Sequence, residues 1–283
     1  MSQITRLLVA TDLTERSQRA FERGLQLKSE AGASLSLLHA VEPGLFPAIG
    51  EERYADAEEF LHKQIADLPE NKRAGVGSDV QVGEPFTTII DEAHKLGAEL
   101  IVIGQPAKSG FKELFTGTTT DRVVRFSDIP VLVVKEAPSG AYERVLVAMD
   151  LSDGAVRALE TAYRIAPDAE FLVVHAWQEA SMAFGTSDAA ARLTARENKR
   201  VRELVERKSK DFLSRFAPRA TPPRFELIEG NPQAAIRDQI AVFEPDLLAM
   251  GTHARSPLKI ATLGSLAREL LAQIACDVLV VRA

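Results

Sequence analysis

The stretch LLVATDLTERS, residues 7–17, is an aliphatic run that ends in Asp12 and leads into a helical pattern. A second stretch, LVAMDLSDGA at 146–155, repeats it with Asp150 in the place of Asp12. Other segments match in the same order, namely LSLLHAVEP (35–43) with FLVVHAWQE (171–179), VGEPFTTIIDEA (82–93) with EGNPQAAIRDQIA (229–241), and AELIVIG (98–104) with PDLLAMG (245–251). Self-similarity of this extent predicts a tandem duplication.

Each copy alternates short segments rich in Val, Ile and Leu with longer helical patterns. In the first copy we expect strands near 5–11, 35–41, 78–82, 99–103 and 131–134, and helices near 15–31, 51–68, 86–96 and 117–127. Such alternation is typical of a parallel sheet with both faces covered. The predicted fold class is therefore α/β, with two tandem doubly wound domains, each a five-stranded parallel sheet with helices on both faces.

The boundary between the copies is predicted at KEAPSGAYER (135–144), where Pro, Ser and Gly separate two strands. We therefore expect domains at 1–138 and 139–283. The last strands, PVLVV (130–134) and DVLVV (277–281), are apolar on both faces. An unpaired edge of this kind invites aggregation, so these strands are expected to join the halves as a pseudo-two-fold dimer.

The composition limits the classes of partner. The net charge of −6 argues against nucleic acid or an anionic membrane as the main partner. A single cysteine excludes an internal disulfide and favours a reducing compartment. The N-terminal residues show no signal peptide, and no apolar run approaches the ~18 residues of a membrane span. We expect a cytoplasmic protein with no membrane span.

Two glycine-containing loops are the main functional signal. GQPAKSGFKELFTGT (104–118) and GTHARSPLKIATLGS (251–265) both fit Gly-x2-Ala-x9-Gly-[Ser/Thr]. Glycines let backbone N–H groups approach an anion, and a helix N-terminus adds unpaired donors and partial positive charge. Ligands of open parallel sheets bind at the carboxyl ends of the strands, where Asp12 and Asp150 also lie. This combination predicts a mononucleotide site.

The chain resembles the universal stress protein family in its tandem two-domain form. Nucleotide-binding members of that family carry Gly-x2-Gly-x9-Gly-[Ser/Thr] after the fourth strand and an aspartate after the first. The resemblance implies the strand order 3-2-1-4-5 in each half and ATP, with or without Mg²⁺, as the ligand. It also allows the protein to form a further homodimer. The implied binding residues are Asp12, Ala40, Ile103, Gly104, Ala107, Gly117 and Thr118 in the first half, and Asp150, Ala176, Met250, Gly251, Ala254, Gly264 and Ser265 in the second.

Ala107 and Ala254 stand where the family has its second glycine, which leaves open whether one half or both bind nucleotide. Because its loop keeps Gly-Thr-His where the first has Gly104, Gln105 and Pro106, the second half is slightly favoured. One alternative is a domain pair that has lost nucleotide and binds an apolar ligand or a protein partner. Another is a slow ATPase. Because no P-loop or Gly-x-Ser-x-Gly motif is present, we expect no catalytic residues and at most weak hydrolysis. No metal site is expected, since the histidines lack ligand spacing.

Overall fold

The computed structural model describes residues 2–44, 47–106, 117–177, 188–214, 216, 221–252 and 263–283, with the backbone alone at 47–49, 188–191, 194, 211 and 265. The first half consists of β1 (Arg6–Thr11), α1 (Glu15–Ala31), β2 (Ser34–Val41), α2 (Pro47–Ala66), α3 (Glu70–Arg73), β3 (Val76–Val82), α4 (Pro85–Leu96), β4 (Leu100–Gly104), α5 (Thr119–Phe126) and β5 (Val131–Val134). The second half consists of β6 (Arg144–Ala148), α6 (Asp153–Ile165), β7 (Glu170–Trp177), α7 (Asp188–Ser214), β8 (Arg224–Glu229), α8 (Pro232–Phe243), β9 (Leu247–Thr252), α9 (Ser265–Gln273) and β10 (Asp277–Arg282).

The strands form one continuous sheet with the order β3-β2-β1-β4-β5-β10-β9-β6-β7-β8. Each half therefore has the strand order 3-2-1-4-5, and the prediction of two doubly wound α/β units is confirmed. All pairings within a half are parallel. The exception is between the halves, where β5 and β10 pair antiparallel, with Leu132 opposite Leu279.

The alternation of side chains along each strand divides the core into two layers. Leu7 and Val9 of β1 point to one face of the sheet, which α1 and α2 cover in the first half and α6 and α7 in the second. Leu8 and Ala10 point to the other face, under α4, α5, α8 and α9. Because both faces of the central strands are buried, nearly every position of these strands is apolar, which is why they read as continuous aliphatic runs.

Several helix starts follow local sequence signals, but the start of α1 differs. Pro85 and Pro232 are the first residues of α4 and α8, and Ser152 caps α6 by accepting the N–H of Ala155. Thr14 occupies the N-cap position of α1, but its side chain accepts no backbone N–H. Its hydroxyl instead donates to Asp12 Oδ1 at 2.6 Å, so the side chain stabilises the turn before α1 rather than the first turn of the helix.

A buried polar cluster lies where the two halves meet. Asp277, at the start of β10, accepts the N–H of Lys135 at 2.8 Å and the Tyr142 hydroxyl at 2.6 Å. The guanidinium of Arg23 on α1 lies 3.3 Å from Asp277 Oδ2 and 4.1 Å from the centre of the Tyr142 ring. All four residues are almost completely buried. The cluster ties α1 of the first half and the connecting segment to β10 of the second.

Two cations cross between the halves to reach helix C-termini. Lys135, which follows β5, donates from Nζ to the carbonyl oxygens of Leu271 and Ile274 at the end of α9, at 2.7 and 2.5 Å. In the other direction, Arg282 of β10 donates to the carbonyl oxygen of Phe126, the last residue of α5, at 3.3 Å. A cation at a helix C-terminus complements the helix dipole. The last helix of each half is thus stabilised by the other half.

Asp277→Asn should destabilise the protein by about 3 kcal/mol, because removing one partner of a buried ion pair leaves Arg23 with an uncompensated charge. Urea denaturation would measure the loss in the free energy of unfolding. Asp168→Asn, at an exposed position, is the matched control and should change it by less than about 0.5 kcal/mol. Equal effects of the two substitutions would contradict the assigned role of Asp277.

Glu99 forms a second contact between the halves. Its carboxylate accepts the N–H and the hydroxyl of Thr5 at 2.7 and 2.6 Å, and it pairs with Arg164 on α6. Burial raises the pKa of Glu99, but the bonds from Thr5 and Arg164 outweigh this and lower the pKa from 4.5 to about 2. A carboxylate with a depressed folded-state pKa stabilises the fold above its unfolded pKa, and this stabilisation is lost as the pH falls.

Glu99→Gln should therefore reduce stability most at neutral pH. The difference in the free energy of unfolding between wild type and variant should shrink as the pH falls from about 5 towards 2. Urea titrations at pH 7, 5 and 3 would measure this difference. A difference that stays constant over that range would show that the charge of Glu99 does not stabilise the junction.

Candidate functional site

A cavity of about 530 Å³ opens at the carboxyl ends of the strands of the first half. Its described lining includes every predicted first-half residue that the structure describes, namely Asp12, Ala40, Ile103, Gly104, Gly117 and Thr118. Ala107 lies outside the described residues. Segments separated by up to about a hundred residues in sequence therefore meet at one site, because β1, β2 and β4 end at the same edge of the sheet.

Asp12 is held at the rim by a tight turn between β1 and α1. Its Oδ1 accepts the N–H of Thr14 at 3.1 Å and the Thr14 hydroxyl at 2.6 Å. Burial raises the pKa of Asp12, but these bonds reverse the effect, so its pKa lies below the ordinary 3.8. Leu13 has φ +62°, a left-handed conformation that costs a non-glycine residue about 1–2 kcal/mol. Burial of its side chain against the core offsets this cost.

The start of α5 forms the opposite wall of the cavity. Gly117 has φ +82°, and its N–H donates to the buried carboxylate of Asp121 at 2.9 Å. Thr118 caps the helix by accepting the N–H of Asp121, and the Thr120 hydroxyl donates to the Gly104 carbonyl oxygen at 3.0 Å. Among the described contacts, Thr119 makes no hydrogen bond with its hydroxyl, although the residue lines the cavity.

Arg16 is a cavity residue that sequence reasoning missed. It lies in the first turn of α1, is partly buried, and lines the cavity together with Ser17 and His39. Within the described part of the chain, no carboxylate or carbonyl oxygen pairs with its guanidinium. The available signal was the comparison of the two copies, because glycine occupies the matching position 154.

The second half has a corresponding cavity of about 410 Å³. Of the predicted second-half residues, it brings together Asp150, Ala176, Met250, Gly251 and Gly264. Ala254 lies outside the described residues, and of Ser265 the structure describes the backbone, which begins α9. The rest of the described lining is mainly apolar and comprises Ala148, Met149, Val174, Pro232, Ile236, Thr252, Leu266, Ala267 and Leu270.

The paired histidines make structural hydrogen bonds. His39 Nδ1 lies 2.8 Å from the carbonyl oxygen of Thr11, and His175 Nδ1 lies 2.7 Å from that of Met149. Because a carbonyl oxygen can only accept, Nδ1 carries the proton in both rings. Each histidine thus ties the second strand of its half to the end of the first strand.

Gly104 and Gly251 allow a strand to approach a helix closely. A Cβ on Gly104 would lie 2.9 Å from the Arg16 carbonyl oxygen, and one on Gly251 would lie 2.2 Å from the Ala155 nitrogen. Gly264 differs, since a Cβ there would meet no atom within 4 Å and its φ of −56° suits any residue. Gly251, near the end of β9, is therefore required by packing, whereas Gly264, before α9, is not.

Gly251→Ala should therefore destabilise the protein by about 1–3 kcal/mol or more, because α6 must move away from β9. Gly264→Ala, the control from the same connection, should cost less than about 1 kcal/mol. Urea denaturation of both variants would measure the difference. If both substitutions cost the same, the close approach of α6 to β9 would not be what requires a glycine at 251.

The fold and these cavities define a class of protein, a tandem pair of doubly wound α/β domains with a ligand-type cavity at the carboxyl edge of each half. The sequence profile described as "Universal stress protein family" matches residues 3–135 and 141–282. The chain belongs to the universal stress protein family.

Similarity to individual proteins extends over one half of the chain or over both. The universal stress protein YxiE of Bacillus subtilis is 28% identical over 145 residues, which cover 46% of this chain and 98% of YxiE. A universal stress protein structure from Archaeoglobus fulgidus superposes with a TM-score of 0.69 at 23% identity and covers 98% of both chains. A further structure, of a universal stress protein in complex with cAMP, covers 48% of this chain and 100% of its own at 22% identity and a TM-score of 0.39.

Two kinds of feature are absent from the described residues. No group of three or more His, Cys, Asp or Glu side chains there is arranged to hold a metal ion. None of the described helices combines the length and the apolar character that crossing a bilayer requires.

Proposed function

We propose that this chain is a stress-response or signalling protein that binds ATP at the carboxyl edge of its sheet, in the cavity of the first half. The observation that carries the proposal is the set of residues lining that cavity. Asp12, the N-terminus of α5 and the Arg16 guanidinium surround a space of about 530 Å³, within the range typical of small-molecule sites.

Each part of the nucleotide has a complementary surface in this proposal. The apolar side chains of Leu38, Ile89 and Ile103 line the part that would receive the adenine base. Asp12 supplies carboxylate oxygens for ribose hydroxyls. The first turn of α5 offers unpaired N–H groups and the positive end of its dipole to the phosphates.

Magnesium would bind together with ATP, coordinated by its phosphates. In nucleotide sites Mg²⁺ is usually held by substrate phosphates and one or two carboxylates. Asp12 and Glu42 are the carboxylates among the described lining residues of this cavity.

We propose binding without rapid turnover, in the cytoplasm. Hydrolysis would need a group that activates water, and Asp12, which has a lowered pKa and a bond to Thr14, is a weak base at neutral pH. ATP occupancy would then act by changing the surface of the protein that a partner contacts, as in a binding module.

Isothermal titration of the purified protein with ATP and Mg²⁺ tests this proposal. Ala40→Phe, which places a large ring in the first cavity, should abolish most of the ATP binding. Val242→Phe adds the same ring at a position that is 80% exposed on α8, and should leave the affinity unchanged. The absence of binding to wild type, or the same affinity in Ala40→Phe, would overturn the proposal.

A further inference from the structure

The two cavities have the same frame but different polar groups. Alignment of the two copies pairs residues that line both cavities, including Asp12 with Asp150, Ala40 with Ala176, Ile103 with Met250 and Pro85 with Pro232. At three aligned positions that line both cavities, a hydroxyl in the first half is replaced by an apolar side chain in the second. Reading from the first half to the second, they are Thr11 to Met149, Thr119 to Leu266 and Thr120 to Ala267.

The largest difference is the charge of Arg16. In the first cavity its partly buried guanidinium has no described protein partner, so an anionic ligand would restore the interactions that burial removes. In the second half the matching residue is Gly154. A Cβ there would lie 3.2 Å from the Thr252 carbonyl oxygen and 3.2 Å from Ala283, so the close packing leaves little room for a side chain.

The hydroxyl at the first position of α5 follows the same pattern. Thr119 presents a hydroxyl without a described partner to the first cavity, where it can donate to a phosphate oxygen. Leu266 replaces it one residue after the start of α9 and packs against the apolar layer of the core. The described lining of the second cavity contains no lysine or arginine, and Asp150 is its one charged side chain.

We propose that the two cavities take different classes of ligand. The first takes a phosphorylated ligand, which Arg16 and Thr119 select by binding its phosphates. The second takes an uncharged, largely apolar small molecule. This inference rests on the proposed function, because it assigns the nucleotide to one half and names the residues that select it.

Titration with ATP and Mg²⁺ tests the first part. Wild type should bind one ATP per chain. Arg16→Gln should weaken binding by about tenfold or more, the usual effect of losing a charged hydrogen bond. Thr119→Leu, which introduces the residue of the second half, should weaken it by several-fold. Arg53→Gln removes the same charge from an exposed position on α2 outside the cavity lining and should leave the affinity unchanged.

A matched pair of substitutions tests the second part. Ala176→Phe fills the second cavity at the position equivalent to Ala40 in the first. It should leave ATP binding intact. It should also abolish the fluorescence signal of protein-bound Nile red, a neutral apolar dye. Ala40→Phe should do the reverse. Circular dichroism melts of both variants establish that each remains folded.

The outcomes separate this inference from the proposed function. Two ATP sites of equal affinity, or full affinity in Arg16→Gln, would overturn the inference and leave ATP binding in place. Nile red that fails to bind wild type, or that is lost equally in both phenylalanine variants, would also overturn it. Failure of ATP to bind wild type would overturn the proposed function and this inference together.

Discussion

The antiparallel pairing of β5 with β10 is the constraint on which the rest of the structure depends. Without it, each half would leave the hydrogen-bonding edge of an apolar strand exposed to solvent. An exposed edge of this kind promotes aggregation. Hydrogen bonds between the two strands, with Leu132 opposite Leu279, convert two five-stranded sheets into one of ten strands. The buried Asp277, with Arg23, Tyr142 and Lys135 around it, makes the pairing specific, since a shifted register would leave these polar groups buried without partners.

The same junction positions the last helix of each half, and each of these helices borders a cavity. The N-terminus of α5 borders the first cavity, and its C-terminal carbonyl group is bound by Arg282 of the second half. The N-terminus of α9 borders the second cavity, and Lys135 of the first half binds the carbonyl oxygens at its other end. The helices that present backbone N–H groups to the two cavities are thus positioned by contacts between the two halves.

Much of this architecture could be predicted from the sequence, because aliphatic periodicity, the prolines at 85 and 232 and the internal repeat report on local backbone and burial. The convergence of Asp12, Gly104 and Gly117 at one cavity follows from the parallel topology. Three features did not follow. The packing role of Gly251 depends on a distance to α6, the donation from Thr14 to Asp12 competes with a capping bond, and Arg16 belongs to no motif. The loop sequences slightly favoured the second half for nucleotide, whereas the described side chains favour the first.

The central claim is that one duplicated fold carries two cavities with different ligand chemistry. A crystal structure of the full chain grown with ATP and Mg²⁺ tests it most directly. The account predicts nucleotide in the first cavity, with its phosphates against Arg16 and the first turn of α5, and no nucleotide in the second. Nucleotide in both cavities, or in the second alone, would contradict it.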